Sequence, residues 1–282
     1  MKNKPFRALF VSCAMLLGSI STASAMAEEA MELQQPGRLR VAVYAAFPPY
    51  SEKGKGIDVA LGRELAKRLG LEAEVVEYAA DEDMNDDLRN MVWKGQYLGT
   101  RPADVMLHVP VDSHLASNND QVKIFAPYHI ETVAVARNPQ LVPPIAGSAA
   151  RGLEVFTREK IGVEVRSLAD NFLLSVLNGR LRENVVHFPS VAEAVAAMRD
   201  GSVAAVMAPR GEMEAALGKE SPYPLTDVGL PELQIKGWAL GMAVKADNSQ
   251  LARGLATAME GLQRDGTVAK IFAQHGVTVK TP

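Results

Sequence analysis

The chain alternates short apolar runs with stripes of helical period, and few folds accept that order. Residues 38–44, RLRVAVY, read as a buried strand that the Pro/Gly-rich FPPYSEKGKG after it cannot continue. Leu61, Leu65 and Leu69 then recur at i, i+4 and i+8, with Asp58 as the expected N-cap and Gly70 as the stop. EAEVVEY (72–78) is the next strand, a helix starts near Asn85, and ADVMLHV (103–109) is a third strand. Strands alternating with helices require crossover connections, so the class is α/β with mainly parallel sheets.

The alternation breaks at IFAPYHIETVAVARNP (124–139), one extended apolar segment with no helix after it, and resumes at IGVEV (161–165). Helices are expected in LADNFLLSVLNG, SVAEAVAAMRDG and GEMEAALG, with VVHF and VAAVMA as strands between them. WALGMAV then returns as a strand, followed by a helix carrying Leu251, Leu255, Met259 and Leu262 on one face and by GTVAKIFAQHG. Two lobes result, the first from 36–130 plus 235–282 and the second from 131–234. No internal repeat or low-complexity segment interrupts them.

Residues 1–25 read as a signal peptide: a basic MKNKPFR, an apolar run from Ala8 to Ile20 and a small-residue ASA site. That run is shorter than the ~20 residues a membrane span needs, so a periplasmic, soluble product is expected. Lys2, Lys4 and Arg7 belong to the leader, leaving 27 of the 30 basic residues against 33 acidic ones, a net charge of −6. Such a balance argues against nucleic acid, whose phosphates demand basic contacts. Cys13, the only cysteine, also lies in the leader, which excludes disulfides, thiolate metal sites and cysteine nucleophiles from the mature chain.

The order of elements, with FPPYSEKGKGIDVALGRELAKRLG, FAPY, SVAEAVAAMRDGSVAAV and LARGLATAMEGLQRDGTVAKIFAQHG, resembles the periplasmic solute-binding proteins of the polar amino-acid family, family 3. The resemblance implies a type II fold, two lobes joined by two crossing strands, with the ligand between them where helix N-termini and strand ends converge. It places Phe47 against the ligand, and Tyr50, Asp112, His114 and Glu131 are taken as further residues of a cleft that receives a ligand or a segment of a partner. Two of the family's anchors are absent. VDSHLASNNDQVKI has no arginine to fork an α-carboxylate, and GSVAAVMAP puts Pro209 where an aspartate would hold the α-ammonium, with Ala204 replacing an earlier acid. Amino acids are therefore not the expected ligands.

A longer connection, GQYLGTRPADVMLHV, with DDLRNMVWKGQYLG and PADVMLHVPVD, is similar to the MxaJ/XoxJ type of accessory protein that serves PQQ-dependent methanol and other alcohol dehydrogenases. That similarity implies a non-catalytic protein with no cofactor of its own, whose partner is the quinoprotein dehydrogenase. At 100° per residue Met84, Leu88, Met91 and Val92 share one sector, and Trp93 falls opposite Leu88 beside Arg89. Arg89, Trp93 and Tyr97 have the composition of a partner-binding patch. The competing interpretation is that QYLGTRP folds back over Trp93 as a small private core.

DEDMNDD is read as capping acids at the positive end of a helix. His108, Asp112 and His114 flank Pro110 without helical metal-ligand spacing, and are taken as polar residues at the cleft mouth, not as a metal site. His129, His187 and His275 are isolated and structural. KGKG lacks the spacing of a phosphate loop, and no GxSxG elbow or C-x-x-C-H haem motif occurs. Two other classes remain: a transport receptor for a ligand that is not an amino acid, and a dehydratase, for which Glu131 and Lys123 are the candidate acid and base.

Overall fold

The computed structural model describes residues 31–97 and 99–282. The expected leader, with Cys13, lies outside them. Among the described residues nine strands run in the order β1 (Arg38–Tyr44), β2 (Glu72–Tyr78), β3 (Val105–Pro110), β4 (Val122–Arg137), β5 (Ile161–Glu164), β6 (Val185–Phe188), β7 (Ala205–Pro209), β8 (Leu225–Asp227) and β9 (Gly237–Lys245). The α-helices are α1 (Ile57–Arg68), α2 (Met84–Leu88), α3 (Ser113–Asn118), α4 (Ala149–Gly152), α5 (Leu168–Ser175), α6 (Val191–Arg199), α7 (Arg210–Leu217), α8 (Ser249–Arg264) and α9 (Thr267–Gln274).

Strand neighbours follow the order β2-β1-β3-β9-β4-β7-β5-β6, with β8 on β4. β1 is parallel to both β2 and β3, and β5 is parallel to both β6 and β7. The long β4 joins the two halves. Its residues up to Thr132 pair antiparallel with β9, and from Val133 onward it pairs with β7 and β8. This is the type II solute-binding architecture: two α/β lobes connected through the crossing strands β4 and β9.

Each lobe buries apolar side chains on both faces of its sheet. In the first, Leu39, Val41 and Val43 meet Ile57, Leu61 and Leu65 of α1 and Leu251, Leu255 and Met259 of α8. Ala42 and Met106 face the opposite way, onto Leu88, Met91 and Val92. Each such fully buried side chain contributes about 1.5–3 kcal/mol, so the two-residue period of β1 divides its side chains between two cores. The second lobe repeats the plan, with Ile161, Val163 and Phe156 on one face and Val195, Met198 and Val206 on the other.

Three local expectations are corrected. Gly56, not Asp58, occupies the N-cap of α1, and Asp58 lies fully buried in the first turn. The capping acid of α2 is Asp83, which accepts from the Asn85 and Asp86 N–H groups, while Asp87 is buried and accepts from the Tyr44 hydroxyl at 2.6 Å. Burial, more than any neighbour, raises the Asp87 pKa. Finally, the helix does not continue as an α-helix: Arg89–Trp93 form a π-turn, closed by the Lys94 N–H donating to the Arg89 carbonyl at 2.9 Å. An i→i+5 turn advances each residue by less than 100°. Trp93 therefore swings from the side opposite Leu88 and packs, half-buried, beside the cluster of Leu88, Met91 and Val92. α3, the four-residue α4 and β8 have no counterpart among the expected elements. α3 is a single short Ser/Asn-rich helix without an apolar stripe, and β8 has only three residues.

Candidate ligand cleft

The C-terminal ends of β1 and β3 bring an aromatic group to the cleft. Phe47 stacks on Tyr50 with ring centroids 5.2 Å apart, and His108 meets both edge-on, at 4.9 Å from Phe47 and 4.2 Å from Tyr50. Tyr50 is fully buried, and its hydroxyl donates to Glu131 Oε2 at 2.6 Å. Glu131 sits in β4 at the crossing and is only 1 % exposed. It also accepts from its neighbour's N–H, Thr132, at 2.9 Å and from the Gly211 N–H, at 3.2 and 3.3 Å to its two oxygens. A carboxylate is well placed there, because Gly211 lies in the first turn of α7 and the positive end of that helix faces it. Glycine is required at 211, since a Cβ would overlap the Tyr50 hydroxyl. Burial and then the Glu131 charge push the Tyr50 pKa well above that of an ordinary tyrosine, so its proton stays in the bond.

A second buried network lies behind the first. His108 has a left-handed backbone, φ 63°, at the point where β3 shifts register against β9, and β4 shifts in the same way between Phe125 and His129. These irregularities turn the His108 N–H onto the Tyr128 hydroxyl at 3.0 Å, and Tyr128 in turn donates to Asp58 Oδ1 at 3.2 Å. Asp58 Oδ2 lies 3.1 Å from His108 Nδ1. His108 is thus a buried strand residue held by a carboxylate, not a polar residue of an exposed loop.

Two cavities open in the cleft. The first, of about 250 Å³, lies between Phe47, Pro48 and Pro49 of the first lobe and Val191, Ala215 and Ala216 of the second. The second, of about 320 Å³, is bounded by Val133, Arg166, Leu168, Pro209 and Trp238. Glu164 and Glu212 line both. Burial, then Glu164, then Glu131 raise the Glu212 pKa well above the carboxylate range, and burial raises that of Glu164.

Among the residues expected from sequence, Phe47 lines the first cavity, and Tyr50 and Glu131 form the buried bond beneath it. Asp112 and His114 line neither cavity. Asp112 caps α3 through the Leu115 N–H at 2.8 Å, and exposed His114 lies 3.3 Å from the Asn118 amide. Lys123 lines a separate depression beside α8, away from Glu131's network. Arg89 pairs with Asp86 at 2.6 Å. Tyr97 stands fully exposed. No group of three or more His, Cys, Asp or Glu side chains suited to a metal occurs among the described residues. Tyr128, Glu164 and Glu212 are not among the residues expected from sequence, and Asp58 is expected only as an N-cap. The available signal was a charged residue in an otherwise apolar stretch, Glu164 within IGVEV and Glu212 at the start of GEMEAALG.

No protein-family model matches this chain, and no curated protein matches it in sequence. Solved structures match in fold. An ancestral cationic amino acid solute-binding protein superposes with a TM-score of 0.65 at 19 % identity, covering 85 % of this chain and 96 % of its own. The GluR0 ligand-binding core in complex with L-glutamate gives 0.59 at 16 % identity, covering 85 % and 98 %. An amino acid ABC transporter substrate-binding protein from Streptococcus pneumoniae bound to L-arginine gives 0.58 at 17 % identity, covering 85 % and 94 %. Together with the crossing strands and the cleft, these matches assign the type II solute-binding fold. No helix among the described residues is long and apolar enough to cross a membrane.

Proposed function

We propose that this chain is a non-catalytic periplasmic accessory protein of a PQQ-dependent alcohol or methanol dehydrogenase system, acting by protein contact in maturation or activation of the enzyme. The observation that carries the reading is the segment 89–102. It extends the connection between α2 and β3, places a π-turn at its start and presents Tyr97 fully to solvent, four positions after half-buried Trp93 and eight after Arg89, which pairs with Asp86. Tyrosine, tryptophan and arginine are the side chains that dominate interface energies. The first cavity, lined by Glu164 and Glu212, has no basic residue among its described lining to pair with PQQ, a polycarboxylate. Contact, not cofactor delivery, is therefore the mode proposed.

Because Trp93 also packs against the core, Tyr97→Ala is the cleaner probe. It should leave the melting temperature unchanged and weaken binding to the purified dehydrogenase about tenfold or more, the usual range for an aromatic hot spot. Unchanged affinity in Tyr97→Ala and in an Arg89→Ala, Trp93→Ala variant that stays folded would remove this surface from the interface.

A second reading, a transport receptor for a ligand other than an amino acid, is favoured by the cavities themselves. Either way, a zwitterion entering the first cavity would bring its carboxylate against two acids, and desolvating it unpaired costs several kcal/mol. A thermal-shift screen of the common amino acids should show no stabilisation at micromolar concentrations; a shift with any of them would restore an amino-acid receptor.

A further inference from the structure

Glu212 and Glu164 are the cleft acids whose side chains make no hydrogen bond within the described residues, and Glu212 is the more deeply buried. It is 8 % exposed, lies in the first turn of α7, and has no hydrogen-bond partner among the described residues. Glu131, by contrast, is met by a hydroxyl and two N–H groups. The Glu212 side chain is buried while its carboxyl group opens onto the cavities, which leaves it free to meet a ligand there. Glu212 and Glu164 both line the two cavities, so a ligand entering by either route meets the same pair of acids. Around them the first cavity is walled mainly by apolar and aromatic groups, Phe47 and the two prolines among them, while the second has Trp238 and also Arg166 and Ser167 on its wall, so the first is the better place for a cation. Carboxylates at the back and aromatic rings at the sides are the chemistry that holds a desolvated organic cation.

We propose that Glu212 and Glu164 form a cation subsite that takes an alkylammonium or guanidinium group on an apolar stem with no carboxylate of its own. The ammonium group lies between the two carboxyl groups, and the stem extends along Phe47. The site is independent of the dehydrogenase reading, because it is defined in the isolated chain. Its cation comes either from a free amine or from a lysine or arginine side chain of a partner segment. Glu164 from β5, Glu131 from β4 and the Tyr50 phenol face Glu212, with Arg166 on the wall of the second cavity, and burial followed by the neighbouring acids raises the Glu212 pKa. Binding a cation favours the ionised acid, so a proton leaves as the ligand enters and affinity rises with pH.

Calorimetric titration of the full chain with n-butylammonium, agmatine and a capped Ala-Lys-Ala tripeptide tests the proposal at pH 6 and pH 8. Binding of at least one probe is expected, tighter at pH 8, with proton release seen as a dependence of the heat on buffer ionisation. Glu212→Gln and Glu164→Gln, which keep the side-chain shape and so the fold, should each weaken it at least tenfold. Binding of the free amines identifies a small-molecule source, and binding of the tripeptide alone identifies a partner's side chain. No binding by any probe, or binding that both variants leave unchanged, overturns the cation subsite. Neither outcome depends on whether Tyr97 contacts a dehydrogenase.

Discussion

Glu131→Ala is expected to be among the most destabilising single substitutions in the chain and to loosen the closure of the two lobes. Its carboxylate is the common acceptor for Tyr50 from the first lobe, Gly211 from the second and Thr132 at the crossing. Truncation leaves a buried hydroxyl and a helix N-terminal N–H without an acceptor, at about 1–3 kcal/mol each. It also removes a charge that complements α7's dipole. The sum is about 3–5 kcal/mol, or a fall of about 10 °C in melting temperature for a chain of this size. Glu131→Gln retains one acceptor oxygen and should cost about half as much. Since Tyr50 and Gly211 approach from different lobes, the Ala variant should also show a larger radius in small-angle scattering and faster amide exchange in the Phe47–Tyr50 loop. A variant with unchanged melting temperature and radius would mean that the lobes are held by apolar contact alone.

Glu131 illustrates what sequence can and cannot convey here. The regular skeleton was legible because its signals are periodic: β1 and β2 begin and end at the residues expected, and the leucine stripe of α1 faces the core. Glu131 was visible as an acid in a run otherwise fit for a buried strand. Its partners were not, because Tyr50 and Gly211 lie 81 and 80 positions away and reach it only through lobe closure. Asp58 shows the opposite failure. Its position after a glycine loop and before a leucine stripe satisfies the rules for an N-cap, yet Tyr128 and His108 claim it from strands elsewhere, and Gly56 takes the terminus instead. The tryptophan of the second helix was misplaced for a purely local reason. An angular projection assumes one turn type, and a single π-turn at Arg89–Trp93 changes which face every later residue occupies. Tertiary hydrogen bonds and turn type were the missing information in these cases, and neither leaves a periodic trace.

The largest acid-side effect on stability is expected from His129. It is 2 % exposed in β4, its ring tilts over Phe272 at 4.8 Å, and its Nδ1 accepts the Lys280 N–H at 3.1 Å. The same tail is anchored by the Lys280 carbonyl accepting from the Ile130 N–H and by the Lys280 ammonium on Asp227 at 2.7 Å. Burial, reinforced by His108 and Lys280 nearby, lowers the His129 pKa to about 4. The unfolded chain, with an ordinary histidine near 6.5, therefore binds a proton that the folded one refuses between these values. Stability contributed by neutral His129 is complete above about pH 6.5 and declines as pH falls toward 4, by up to about 3 kcal/mol. Protonation also ends the acceptance of the Lys280 N–H, so the C-terminal strap should loosen with it. The acids whose pKa burial raises, Glu164 and Glu212 among them, act in the opposite sense: protonation on acidification relieves their cost. Their contribution is common to wild type and variant and cancels in the difference. Urea midpoints at pH 7 and pH 4.5 should thus show a steeper loss for the wild type than for His129→Gln, whose side-chain oxygen still accepts from Lys280 but does not titrate. The expected gap is about 2 kcal/mol. Parallel pH profiles for the two proteins would place the acid-sensitive group elsewhere.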